Sequence, residues 1–241
     1  MLIQIRAIVL YCQPYNDTTD IVATYTESFG RVSYLVGKKR SKKSTLRSAF
    51  FQPLTLVELH VEHTVNRNLQ RIKDVRTFCP FTEILVDPIK SSMALFIAEV
   101  LYRTLRESEK NSPLFDFLCQ SIQLLDASNQ GVANFHLVFL LKLTRYLGFY
   151  PNVEGASEGW YFDLHDGYFV PKRPFHQAWL SPEESVAFTR IMRMSFENMH
   201  AFKFNHVERG QLLKQIIQYY RIHLPDFPTI KSLEVLQEMY R

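Results

Sequence analysis

An α+β fold is predicted for this chain of 241 residues, with strands over residues 1–80 and an all-helical part over residues 81–241. Three observations carry this prediction. Apolar and polar residues alternate through much of the first third of the sequence, which is the period of half-buried strands. From Pro88 onward, apolar residues recur at three- and four-residue steps, which is the period of helices. A stretch rich in glycine and aromatic residues, at about 149–175, interrupts the helical part.

The first part contains five candidate strands. In the first of them, Ile3, Ile5, Ala7 and Val9 alternate with mostly polar neighbours. The other four are rich in β-branched and aromatic residues, and they are Asp20–Thr26, Arg31–Val36, Leu54–Val61 and Gln70–Phe78. Five strands within about 80 residues match the size of an OB-fold, a partly open barrel that often binds single-stranded nucleic acid.

Serines mark candidate helix starts in the second part. Ser91 or Ser92 can cap a first helix. Ser181, followed by a proline and then by Glu184, gives the sequence of a capping box before a later helix. Val132–Leu147 is almost entirely apolar, so we expect this helix to be central and buried.

The stretch that interrupts the helices contains a candidate β-hairpin over Trp160–Val170. Two runs of aromatic and apolar residues flank the dipeptide Asp166-Gly167. An Asp-Gly pair between two such runs is typical of a tight hairpin turn. We therefore predict a small β-hairpin inserted into the helical part at about 149–175.

Composition indicates a globular protein with an uneven charge. The chain is 46% hydrophobic and carries a net charge of +4. Residues 1–80 hold 12 Lys and Arg against 6 Asp and Glu, whereas the remainder holds 16 against 18. An excess of positive charge confined to one region fits a nucleic-acid contact in that region.

Cys12, Cys79 and Cys119 are far apart in the sequence and include no CxxC pair. Their spacing is typical of buried small side chains in a reducing compartment. No run approaches the ~18 apolar residues that a membrane span needs, and the N-terminal residues alternate too strongly for a signal peptide. We expect a cytoplasmic protein, associated with the nucleoid and not with a membrane.

The stretch Gly37–Arg47 is the strongest functional signal. Six of its eleven residues are basic, and the nearest acidic residues in the sequence are Glu27 and Glu58. Such a run attracts polyanions, because each phosphate contacted releases condensed counterions. The candidate phosphate contacts are Arg31, Lys38, Lys39, Arg40, Lys42, Lys43 and Arg47. The alternative is a solvated surface loop, which is what most charge runs are.

Aromatic residues flank this basic stretch and are candidates for base stacking. OB-folds bind single strands by stacking bases on exposed rings beside a basic groove. Alternation along a strand predicts that about half of these rings face the core instead. Of the flanking rings, Tyr34 and Phe50 are the preferred candidates.

No catalytic motif is recognisable: the sequence lacks GxxxxGK[ST], GxSxG and HExxH patterns. A nucleic-acid-binding protein without enzymatic activity is therefore the first interpretation. The ligand is DNA or, in the alternative of an RNA-binding or ribosome-associated OB-fold protein, RNA, since the basic stretch permits both equally. A metal-dependent nuclease would need clustered carboxylates near the basic stretch, and residues 28–57 contain none.

The order of these parts resembles the RecO family of bacterial recombination mediators. The residues that carry the resemblance are Phe29-Gly30-Arg31 through Lys38-Lys39-Arg40, Arg145–Pro151 with its Leu-Gly-x-x-Pro step, and Tyr219–Leu224 with Lys231-Ser232-Leu233. The resemblance covers essentially the whole chain. It implies single-stranded and duplex DNA as ligands, annealing of complementary strands, and partnership with RecR. It also implies contact with the C-terminal tail of single-strand-binding protein and indirect help in loading RecA.

One feature departs from the family pattern. Many members have four cysteines after the Leu-Gly-x-x-Pro step and bind zinc there, but Gly148–Leu180 contains no cysteine. The side chains that remain as possible ligands are His165, His176, Asp163, Asp166 and Glu158. Structural zinc sites rely on closely spaced Cys and His residues. We therefore expect no zinc and no other cofactor, with the hairpin in its place, held by aromatic packing.

Overall fold

The alternating residues at the start of the chain form five strands, as predicted. These are β1 (Leu2–Asn16), β2 (Thr19–Thr26), β3 (Gly30–Gly37), β4 (Leu56–Glu62) and β5 (Leu69–Cys79). They form a closed barrel in the order β1-β2-β3-β5-β4. The β3–β5 pair is parallel and the other pairs are antiparallel.

The length of β1 allows the barrel to close. Residues 2–8 of this strand pair with β4, and residues 7–16 pair with β2, with an irregularity between Val9 and Tyr11. Such an irregularity bends a strand and increases its twist, so one strand can serve both neighbours. Alternate residues, among them Ile5, Val22 and Leu59, point inward and form the barrel core.

The computed structural model describes residues 2–38, 49–64 and 67–239, and the contacts divide the chain into two units. The first unit contains residues 1–127 and 230–239, and the second contains residues 128–229. Residues 81–127 thus group with the barrel rather than with the later helices. The predicted domain boundary at residue 80 coincides with the change from strands to helices, and as a boundary between domains it stays a prediction.

Helices of the first unit that lie wholly within the described residues are α1 (Pro88–Thr104), α2 (Ser112–Ala127) and, from the end of the chain, a helix over Ser232–Glu238. The prediction that Ser91 or Ser92 caps α1 is wrong. The cap is Asp87, whose side chain accepts hydrogen bonds from the backbone N–H groups of Ile89 and Lys90. An aspartate before a proline at the first helical position satisfies both preferences of a helix start.

A buried carboxylate at the end of α2 holds the segment that joins the barrel to α1. Asp126 accepts hydrogen bonds from the backbone N–H groups of Thr82, Glu83 and Ile84 at 2.8–2.9 Å, and from the Thr82 hydroxyl at 3.0 Å. Burial by itself raises the pKa of Asp126, but these hydrogen bonds outweigh burial and hold the pKa below its ordinary value. Lys90 donates from Nζ to the backbone carbonyl of Asp126 at 2.7 Å.

The barrel also contacts the chain beyond α1 through main-chain atoms. Gly30, at the start of β3, has φ of 58°, and a Cβ there would collide with the carbonyl oxygen of Glu109. The N–H of Arg31 donates to the Glu107 carbonyl at 2.9 Å, and the Ser108 hydroxyl donates to the Arg31 carbonyl at 3.1 Å. A glycine is required at this position for both its φ and its close approach.

The second unit is built around the apolar helix α3 (Phe135–Leu147), which is buried as predicted. Helices α4 (Pro182–Met192) and α5 (His206–His223) pack with it. The helix at Ser232–Glu238, which belongs to the first unit, is α6. The Tyr220 hydroxyl of α5 donates to the Leu140 carbonyl of α3 at 2.7 Å. The predicted capping box at Ser181 and Glu184 is present before α4.

The predicted hairpin is present as β6 (Tyr161–Asp163) and β7 (Tyr168–Val170), with Gly167 in the turn at φ of 73°. A third strand, β8 (Trp179–Leu180), pairs with β6 and was not predicted. Phe162 lies at the centre, with its ring 4.9 Å from that of Phe169 and 4.8 Å from that of Phe188. Aromatic packing therefore holds this small sheet against α4.

The three cysteines are free, and they differ in burial. Cys119 is buried, and burial raises the pKa of its thiol to about 12, which makes it unreactive. Cys79 is partly buried. Cys12 is exposed, so the prediction of a buried side chain is wrong there, because residues 11–16 of β1 extend past the barrel core with exposed side chains.

Replacing Asp126 with Asn should destabilise the first unit by about 2 kcal/mol at neutral pH, because several hydrogen bonds to a charged acceptor are weakened. The folded-state pKa of Asp126 is depressed. Its contribution is therefore present above the unfolded-state pKa of about 3.9 and is lost as pH falls through the folded-state pKa. Urea unfolding at pH 7 and at pH 3 would measure both effects. An equal loss at the two pH values would contradict a role for the charge.

Candidate nucleic-acid interface

The basic stretch connects β3 to β4, and most of it lies outside the described residues. The predicted contacts that lie outside the described residues are Lys39, Arg40, Lys42, Lys43 and Arg47. Their role as phosphate contacts stays a prediction. The structure places the other four predicted residues, Arg31, Lys38, Tyr34 and Phe50.

Lys38 has its charge partly neutralised within the barrel. Its Nζ lies 3.0 Å from Oδ1 of Asp20 and donates to the Asn16 carbonyl at 2.9 Å. Asp20, which lies outside the sequence window of the basic stretch, therefore partly balances the charge of Lys38. Asp20 is distant in sequence but pairs with Val36 across the antiparallel β2–β3 ladder, and this register brings it to Lys38.

Arg31 is engaged with the end of α1. One guanidinium nitrogen donates to the backbone carbonyls of Tyr102 at 3.0 Å and Leu105 at 3.1 Å. The guanidinium carbon lies 4.2 Å from the centre of the Tyr102 ring. Burial lowers the pKa of Arg31, while contact with Tyr102 opposes that shift. Cations favour helix C-termini because the last carbonyl groups of a helix lack intrahelical hydrogen-bond partners.

The prediction that Tyr34 stacks on bases is contradicted by its burial. Tyr34 is 0% exposed and belongs to the barrel core. Alternation along β3 places it inward with Val32, while Arg31 and Ser33 face outward. Phe50 is partly buried and packs against the same core, which leaves only part of its ring accessible.

Sequence reasoning missed two groups on this side of the first unit. Tyr11 and Tyr15 on β1 are 45% and 59% exposed. Arg103 and Arg106, at the end of α1, line a cavity together with Arg31. The two exposed rings come after the pairing irregularity between Val9 and Tyr11 in β1, which residue alternation does not reveal. The arginines are more than 70 residues from Arg31 in sequence, so no local pattern could associate them.

Within the described part of the barrel, three other basic residues form ion pairs with carboxylates. Arg6 pairs with Glu27 at 2.5 Å and Lys73 with Glu62 at 3.1 Å, and Arg76 pairs with Glu58. The hydrogen bond from Arg6 outweighs burial and lowers the pKa of Glu27. These pairs leave less unbalanced charge on this part of the barrel surface.

The small sheet of the second unit offers a poor donor set for the zinc of related proteins. Asp163 accepts hydrogen bonds from the backbone N–H groups of His165 and Asp166, and its Oδ2 lies 3.0 Å from Nε2 of His176. Across residues 2–38, 49–64 and 67–239, no group of three or more His, Cys, Asp and Glu side chains could hold a metal ion. The residues present do not fit a Cys-rich site.

Comparison with family models identifies the chain. Residues 1–81 match the model described as Recombination protein O N terminal, and residues 85–234 match the one described as Recombination protein O C terminal. The chain belongs to the RecO family. The first model ends shortly after β5 and the second begins before α1, and the resemblance predicted from the sequence is confirmed.

Curated RecO relatives align with the entire chain. A protein named DNA repair protein RecO from Bacteroides fragilis is 48% identical over 241 residues, with 100% of both chains covered. Proteins of the same name from Phocaeicola vulgatus and Flavobacterium psychrophilum are 46% and 39% identical, again with 100% of both chains covered. Within the part of this RecO-family chain that the structure describes, no helix is long and apolar enough to span a membrane.

Replacing Tyr34 with Phe should leave DNA affinity unchanged and raise the free energy of unfolding by up to about 1 kcal/mol. The Tyr34 hydroxyl is buried without a hydrogen-bond partner among the described residues, and removing such a group relieves a desolvation cost. Tyr220→Phe is the matched control, since it removes a buried hydroxyl that has a partner and should lower stability. Denaturant unfolding and DNA titration would test both variants. A marked loss of DNA affinity in Tyr34→Phe would restore a DNA-binding role for this residue.

Proposed function

We propose that this RecO-family protein is a non-enzymatic DNA-binding mediator of DNA repair. It binds single-stranded and duplex DNA through phosphates, without sequence preference. The observation that carries the proposal is the closed five-strand barrel with an unusually basic connection, residues 37–47, between β3 and β4. Phosphate contacts give affinity and position but carry no base information.

Strand annealing follows from the same surface. Two complementary strands repel each other through their phosphates, and a basic surface that neutralises both lowers the barrier to pairing. This activity requires no bond to be made or broken in the protein. It therefore agrees with a sequence that contains no recognisable catalytic motif.

The family also supplies the proposed partners. The protein would bind RecR and the C-terminal tail of single-strand-binding protein, and it would assist the loading of RecA on DNA covered by that protein. Annealing of complementary oligonucleotides, measured with and without single-strand-binding protein and RecR, tests these proposals together. Competition with a structured RNA separates them from an RNA-binding function.

The protein should act without zinc. Gly148–Leu180 has no cysteine, and Asp163 is already engaged with two backbone N–H groups and His176. Elemental analysis of protein purified without added metal should therefore find no stoichiometric zinc, and a chelator should leave the melting temperature unchanged. One tightly held equivalent would contradict the proposal.

Changing Lys39, Arg40, Lys42 and Lys43 to Ala should weaken DNA binding and its salt dependence. If the basic stretch touches about four phosphates, log K should fall with log salt at a slope of about −3 on single strands. The quadruple variant should flatten that slope by about 2, and it should lose affinity equally for different DNA sequences. Fluorescence anisotropy of one labelled oligonucleotide over a salt series measures the slope.

The matched control removes four basic side chains from the second unit, all of them exposed. These are Lys172, Lys203, Lys214 and Arg221. It changes the net charge by the same amount, so any larger effect of the first variant reports local contact. Equal slopes for the two variants would mean that the basic stretch is only a solvated loop.

A further inference from the structure

The first unit contains a second basic feature, separate from the stretch between β3 and β4. A cavity of about 350 Å³ is lined by Arg31, Ser33, Tyr102, Arg103 and Arg106. Three of its five lining residues are arginines, and none is acidic. Arg31 and Ser33 come from β3, and the other residues come from the end of α1 and the turn that follows it.

The arginines are held by backbone carbonyls and by one ring. The Tyr102 ring lies 4.2 Å from the guanidinium carbon of Arg31 and 5.4 Å from that of Arg103. Nε of Arg106 donates to the Arg103 carbonyl at 3.2 Å. Contacts of this kind fix the orientation of a guanidinium without neutralising its charge.

Two of these arginines retain unused hydrogen-bonding capacity. Among the described residues, neither Arg31 nor Arg103 has a carboxylate within ion-pair distance. Nε of each is buried without a hydrogen-bond partner in the same part of the chain. Glu99, one turn before Arg103, is engaged with the backbone N–H groups of Lys231 and Ser232. Because no carboxylate balances them, the positive charges of these guanidinium groups are available to an anion in the cavity that they line.

An exposed aromatic ring lies beside the arginines. The ring centre of Tyr11 is 5.0 Å from that of Tyr102, and Tyr11 is 45% exposed. Tyr11, Tyr102 and Arg103 also line a neighbouring groove of about 730 Å³. Guanidinium groups bind phosphate oxygens in a forked geometry, and exposed tyrosines stack on unpaired bases. A phosphate site next to a stacking ring is the arrangement that single-stranded DNA requires.

We propose that Arg31, Arg103 and Arg106 bind a phosphate of single-stranded DNA and that Tyr11 stacks on an adjacent base. This site, which we name the arginine cluster, rests on the proposed DNA-binding function and extends it to a surface that the basic stretch does not include. Arg103 and Arg106 contact the phosphate, while Arg31 also positions α1 through its bonds to Tyr102 and Leu105.

The test uses the full chain and a fluorescein-labelled oligothymidine titrated at several salt concentrations. Arg103→Gln with Arg106→Gln should lower affinity and flatten the salt slope by about 0.7 for each phosphate that the variant no longer binds. Tyr11→Leu should lower affinity by roughly 5- to 150-fold and leave the slope unchanged, because no charge is removed. Arg103→Lys should retain the slope but lose affinity, since the charge remains and the fork is lost. Arg31 is left intact because of its bonds to α1.

Lys172→Gln with Lys214→Gln, which removes two exposed charges from the second unit, is the matched control, and melting curves check the fold. Cluster variants that bind like this control would overturn the arginine cluster. The result would leave the proposed function intact if wild-type protein binds and the variant of the basic stretch does not. Failure of the wild type to bind would remove both proposals. A third outcome is that the cluster variants bind DNA normally but no longer bind a labelled hexa-aspartate peptide that the wild type binds. This outcome would overturn the DNA site and show that the cavity binds acidic peptides.

Discussion

The arrangement of the first unit depends on the guanidinium of Arg31, which joins β3 to the end of α1. It donates to two carbonyls that the helix leaves without partners, and it lies against the Tyr102 ring. Burial of this charge is costly, and the lowered pKa of Arg31 reflects that cost. The Arg31 N–H donates to the Glu107 carbonyl and the Arg31 carbonyl accepts from the Ser108 hydroxyl, which extends the same junction. The barrel and α1 are consequently parts of one unit.

Local periodicity predicted most of the secondary structure. The strands follow from alternation, α3 from its apolar character, and the start of α4 from the Ser181 capping box. These features depend on neighbours within a few residues, which the sequence displays directly. The cap of α1 is Asp87 and not Ser91 or Ser92, and the proline that follows Asp87 is the local sequence signal for it.

The interface was harder to predict because its residues are distant in sequence. Alternation shows that Tyr34 and Arg31 face opposite sides of β3, but not which side is the core. The Lys38–Asp20 pair depends on the register of β2 and β3. The approach of Arg103 to Arg31 depends on how α1 packs against the barrel. Each of these facts depends on tertiary structure, which a count of charges along the sequence does not reveal.

Gly30 determines how closely β3 can approach the segment that follows α1. Because it lacks a Cβ, β3 and the backbone of Glu109 lie closer than any side chain would permit. The next residue along β3 is Arg31, and Arg106 shortly precedes Glu109, so this contact between two main chains helps to fix the distance between the two arginines. Gly30, which carries no charge, thereby influences how closely the positive charges of Arg31 and Arg106 approach each other. Replacing Gly30 with alanine would push the two main chains apart. The electrostatic potential of the surface would then change although its net charge would not.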